Sequence, residues 1–161
     1  MARQISMAAQ FPPISLLPPA ADAAGRTSGY RSLRNCLGKA WVVARVNQGN
    51  AATVLLTLLQ ARDLAGSGSK PITAAPIWLS NNTAASDALV AQAAGVNFTT
   101  DATLQDKIVM FELTMEQSLD VTNGFNHIAI STGASNAANV TSAELFILAT
   151  YPQAAAPTSY V

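Results

Sequence analysis

The sequence predicts an all-β protein: an antiparallel β-sandwich of jelly-roll type, with about eight strands and extended arms at both ends. Three observations carry the prediction. Apolar and polar residues alternate with a period of two in several short runs. Each run is bounded by Gly, Pro, Asn or Ser clusters that turn the chain. Little of the sequence carries the spacing of an amphipathic helix, so helical content is expected to be small.

Residues 10–25, which include "FPPISLLPP", are rich in Pro and Ala and lack either periodicity. They read as an extended arm, as do residues 152–161. The expected division is therefore an N-terminal arm over 1–27, a sandwich over 28–151 and a C-terminal tail over 152–161.

Within the sandwich, "YRSLRNCL" (30–37) is a weak strand candidate. "KAWVVARVNQGN" (39–50) is a strong one, rich in β-branched and aromatic residues and ending in turn residues. The next run, "TVLLTLLQA" (53–61), holds too many leucines for periodicity to decide between helix and strand. Its neighbours decide for a strand, because "DLAGSGSKP" (63–71) follows and no helix continues through two glycines and a proline. These two runs are expected to lie side by side as antiparallel strands.

Further along, "APIWLSNN" (75–82) reads as a strand and "GVNFTT" (95–100) as a weaker one, while "SDALVAQAAG" (86–95) fits a short helix or an alanine-rich strand. "KIVMFELT" (107–114) alternates, with Ile108, Met110 and Glu112 on one face and Val109, Phe111 and Leu113 on the other. In "TMEQSLD" (114–120), Thr114 and Gln117 have capping-box spacing, and "VTNG" (121–124) then reverses the chain. "FNHIAIST" (125–132) places Ile128 and Ile130 inward, which leaves His127 as a half-exposed strand residue; "SAELFILATY" (142–151) is the last strand.

A chain of 161 residues suffices for one domain that buries roughly two thirds of its extended surface. Half of its residues are apolar and 11% are charged, against about 25% in a typical soluble domain. So few charges imply that other subunits cover part of the surface. Nine basic and nine acidic residues cancel, and Arg26, Arg31 and Arg34 form no phosphate-neutralising stripe, which argues against nucleic acid.

The one cysteine, Cys36, cannot form an intrachain disulfide and sits among apolar neighbours as a small hydrophobe. A single histidine, His127, leaves no pair of imidazoles for a metal. The N-terminal stretch is interrupted by polar residues and prolines where a signal peptide needs a continuous apolar helix, and the longest apolar run, 51–61, is short of a membrane span. Synthesis in the cytoplasm and no membrane partner are expected.

No constellation of reactive side chains stands in the sequence. "GSGSK" (66–70) lacks phosphate-loop spacing, and Pro71 follows Lys70 where a hydroxyl residue should open a helix. Ser67 and Lys70 cannot be held one helical turn apart by these glycines. Asp101 with Asp106 and Glu112 with Glu116 read as solvated turn residues. Asn81, Asn97 and Asn139 head glycosylation triplets that matter only in a secretory pathway. No catalytic residue, cofactor site, metal site or small-molecule substrate is expected.

Four segments, "LLTLLQARDLAGSGSKPI", "TTDATLQDKIVMFEL", "SLDVTNGFNHIAIST" and "NAANVTSAELFILATYPQAAAPTS", occur in an order and spacing that resemble a family of small tailed-bacteriophage virion proteins, from about residue 28 onward. The shared features are a Gln-Ala-x-Asp strand end before a Gly-x-Gly turn and Lys (Gln60 to Lys70), and a Leu-Asp-Val-x-Asn-Gly-Phe turn (Leu119 to Phe125). The resemblance implies a head decoration or cement protein, a jelly roll that forms homotrimers on the capsid exterior and binds the major capsid protein. A tail or neck structural protein, or a jelly-roll module for a receptor or glycan, are the alternatives. Proline-stiffened arms lose comparatively little entropy on docking, so Phe11, Ile14, Leu16, Leu17 and Tyr160 are expected to bury against partner chains.

Overall fold

The computed structural model describes residues 7–150. A single helical turn, α1 (Met7–Gln10), precedes β1 (Pro13–Ala21), β2 (Arg26–Thr27), β3 (Arg31–Ser32), β4 (Cys36–Gln48) and β5 (Leu55–Ala61). Next come β6 (Lys70–Pro71), β7 (Ala75–Ser80), β8 (Val90–Gly95), β9 (Asn97–Thr99) and β10 (Asp106–Thr114). A second helical turn, α2 (Met115–Ser118), and a 3-10 turn (Val121–Asn123) lead to β11 (His127–Thr132) and β12 (Asn139–Ala149). Pairing is antiparallel throughout. One sheet, sheet A, runs β1-β12-β4-β10-β7-β8; the other, sheet B, runs β2-β11-β5-β6, with β3 also on β11 and β9 also on β5.

Eight strand positions recur in chain order: β1, β2 with β3, β4, β5, β9, β10, β11 and β12. Sheet A places them first-eighth-third-sixth and sheet B second-seventh-fourth-fifth. This is the jelly-roll order. Between the fourth and fifth positions lie β6, which pairs with β5, and the β7–β8 hairpin, which widens sheet A beyond β10.

The chain thus changes sheet at most connections, which corrects one sequence expectation. Runs 39–50 and 53–61 are both strands, but they face each other across the core and do not pair. The crossover between them is held by polar side chains. Gln48 donates its amide to Ala52 O at 3.1 Å and Asp101 O at 2.7 Å. Asn139 donates to Ala52 O at 2.7 Å and accepts from Asn50 N at 2.8 Å. These bonds tie the crossover to the sandwich's end.

The predicted alternation decides what enters the core. Val42, Ala44 and Val46 of β4, Leu56 and Leu58 of β5, Val109, Phe111 and Leu113 of β10, and Leu145 and Ile147 of β12 are all buried. Ile128 and Ile130 are buried as expected. His127 is buried too, at 4% exposure, and corrects the expectation of a half-exposed residue. It lies in β11, which is flanked on both sides by strands of sheet B. Burial, then the charge of Arg34, holds its imidazole below the ordinary value of 6.5.

The N-terminal arm is corrected as well. Residues 13–21 form an edge strand of the sandwich itself, paired with β12 from Pro13↔Phe146 to Ala21↔Val140. Prolines are tolerated there because an edge strand needs only one side of its backbone for pairing. Register shifts after Ser15 and after Leu17 let consecutive residues Leu16 and Leu17 both turn into the core, at 5% and 4% exposure. A strict period-two reading misses such a strand. The chain then leaves sheet A through a turn at Gly25, whose φ of 71° and position 2.7 Å from Thr132 O for any added Cβ demand glycine.

The remaining elements resolve simply. Segment 86–95 yields the strand β8, and the weak candidates reduce to β3 and β9. α2 begins after Thr114, but the Thr114 side chain makes no capping hydrogen bond. Gly124 closes the 3-10 turn in the left-handed conformation.

Candidate interaction surface

A two-layer sandwich buries one face of each sheet, so an apolar outer face is the feature that needs a partner. In β4 the stretch Ala40 to Ala44 is apolar on both faces. Ala40, Val42 and Ala44 point into the core, while Trp41 and Val43 stand half-buried on the outside. Neighbouring strands continue the outer row. Phe146 pairs with Trp41, and Trp41 with Glu112; in the next row Glu144, Val43, Met110, Trp78 and Ala91 are successive partners.

Phe11 packs on this face, its ring centroid 5.9 Å from that of Trp41 with the planes inclined at 59°. Together Met7, Phe11, Trp41, Val43, Met110 and Phe146 line an open apolar groove of about 330 Å³. Charges bound it. Lys39 and Glu112 pair at 2.5 Å on one side, and beyond Val43 lie exposed Arg45 and Glu144.

Of the residues predicted to bury against partner chains, Phe11 alone lies at this surface. Ile14 is partly buried and packs on the chain's own core, and Leu16 and Leu17 belong to that core. Tyr160 lies outside the described residues. Trp41, Val43, Met110 and Phe146 were the residues that sequence reasoning passed over. The signal was present in "AWVVA", because apolar residues on both faces of a sandwich strand cannot all point inward.

Several charged side chains are engaged in holding the fold. Lys107 is buried and its Nζ donates to Gln48 Oε1 at 2.8 Å, Asp101 Oδ1 at 2.7 Å and Thr103 O at 2.8 Å. Asp101, expected to be a solvated turn residue, is thus an ion-pair partner, and Lys107 holds its carboxyl well below the usual range. Asp22 is fully buried, accepting from the Thr141 hydroxyl and lying 3.4 Å from Arg26. Arg26 also donates to Pro18 O at 2.9 Å, Ala20 O at 3.1 Å and Thr141 O at 2.6 Å.

In the "GSGSK" turn, Gly66 and Gly68 adopt φ of 85° and 70°. Lys70 pairs with Asp120 at 2.6 Å and stands 4.2 Å over the Phe125 ring. The Cys36 thiol donates to Lys39 O at 2.8 Å, and burial raises its pKa, away from the thiolate that nucleophilic chemistry needs. Among the described residues no three of His, Cys, Asp and Glu gather as a metal site would require.

No protein-family model matches the chain, and no curated protein matches it. Among solved structures, the crystal structure of the SPBc2 prophage-derived protein YomS is similar to it with a TM-score of 0.47 and 6% identity, over 84% of this chain and 90% of that one.

Proposed function

We propose that this chain is a non-enzymatic structural protein of a tailed-bacteriophage virion, which decorates the capsid exterior and stabilises it through contacts with its own copies and with the major capsid protein. The observation that carries the reading is the apolar outer face of sheet A, with Trp41, Val43, Met110 and Phe146 in register across three adjacent strands. Burying such a face gains about 25 cal/mol per Å², so a lattice of neutral contacts is stabilised with few charges. The low charge of the whole chain and the ordered resemblance of its later segments to small virion proteins support the same role.

Phage particles assembled with and without the chain test it. Decorated particles should carry its density on the head and survive heating and osmotic shock better than bare ones. The Trp41→Asp and Phe146→Asp chains should fail to bind. Density confined to the tail or neck, or particles of equal resilience, would overturn the decorating role.

A further inference from the structure

Two sheets present four edges, and three of these carry devices that stop another strand from adding. β1, on one side of sheet A, contains Pro13, Pro18 and Pro19 and two shifts of register. Both sides of sheet B are broken into short pieces: β2 with β3 on one, β6 with β9 on the other. β8, the remaining edge, differs from all of them. It has no proline, and the sequence holds no charged residue from Ala88 through Thr100.

Its residues are open to an incoming backbone. Val90 is 60% exposed, and Ala91, Ala93 and Ala94 are exposed alanines whose methyl groups leave room beside the strand. Pairing to β7 is regular at Leu79↔Val90, Trp78↔Ala91 and Ile77↔Gln92, and a shift occurs only toward Gly95. Gln92 donates its amide to Val90 O at 3.2 Å. Such an exposed side-chain bond is exchanged for a backbone bond at little cost.

We propose that β8 is a self-association edge, onto which β8 of a second copy adds antiparallel about a two-fold axis. The edge specifies this occupant. Antiparallel ladders exchange donors and acceptors reciprocally, so one edge can be complementary to itself, as an isologous contact requires. Identical strands bring like charges together near the two-fold axis, and an uncharged strand is free of that repulsion. Two six-stranded sheets would join into one. Their outer faces, with Trp78 one strand and Met110 two strands in from β8, would then be continuous. The edge closes as a pair, whereas the resemblance implies a three-fold assembly.

Association through β8 needs no capsid, so its failure and that of the virion role are separable. Sedimentation velocity and native mass spectrometry of the purified full chain test it with three proteins: wild type, Ala91→Lys and Ala91→Glu. The wild type should be a dimer. With the axis at Ala91, the centre of the regularly paired stretch Val90 to Gln92, each variant alone should lose the dimer, because like charges then meet across it. An equal mixture of the two should regain it, which also establishes that both are folded. A monomeric or trimeric wild type, variants that remain dimeric, or a loss that mixing does not reverse would each overturn the proposal.

Discussion

Lys107 Nζ lies 2.7 Å from Asp101 Oδ1, with the lysine side chain wholly buried and the aspartate 49% exposed. The lysine seals the end of the core where β10 begins. Lys107→Met would take the donor from Thr103 O and leave Gln48 Oε1 with the Thr100 hydroxyl alone, and should destabilise the fold by about 2–4 kcal/mol. Asp101→Asn should cost less, roughly 1 kcal/mol, since solvent screens the exposed partner. Urea unfolding of the two variants measures the difference, and equal losses would contradict the ranking.

Acid should weaken the protein in two stages. His127 has a folded pKa below its ordinary 6.5, so the unfolded chain takes up that proton first and stability declines as pH falls below that value. Asp101 has a folded pKa below its ordinary 3.8; its contribution is whole above that value and is lost as pH falls from it through the lower folded value. The midpoint of thermal unfolding against pH should show both steps. His127→Gln should flatten the first and leave the second.

Arg26 fastens the edge strand β1 through carbonyls of Pro18, Ala20 and Thr141. Arg26→Ala should cost about 1–3 kcal/mol and unbalance the buried Asp22 carboxylate. Hydrogen exchange should quicken across residues 14–21 while the β4–β10 ladder stays protected. Uniform quickening would mean that β1 is no separate unit.

Leu17 sits at 4% exposure among core residues although it lies in a Pro-rich segment. Leu17→Ala should destabilise by about 2–4 kcal/mol, as a core cavity does. Removing residues 1–20 strips β12 of its neighbour on one side and should cost more than the point variant. A truncated chain as stable as the whole in denaturant would show that β1 is dispensable.

Alternation in 107–114 separated the two faces of β10, because a strand's side chains have only two directions. The arm at 13–21 was not legible. Its prolines and consecutive leucines break the period, and only pairing with β12 from the far end of the chain makes it a strand. His127 was misplaced for a related reason: alternation assigns a residue to a face, and flanking strands and loops decide whether that face meets water.

The apolar outer face stood in the letters of "AWVVA", but its extent did not. Trp41, Met110 and Phe146 come from three strands that sit side by side only after the jelly-roll crossovers are made. By itself the sequence determined the class of fold, most strands and their inward residues, since these follow from local periodicity and turn chemistry. Strand partners, the incorporation of β1, the burial of Lys107 and the position of the open β8 edge were decided by tertiary structure alone. They depend on contacts between residues distant in the chain, which local preference does not encode.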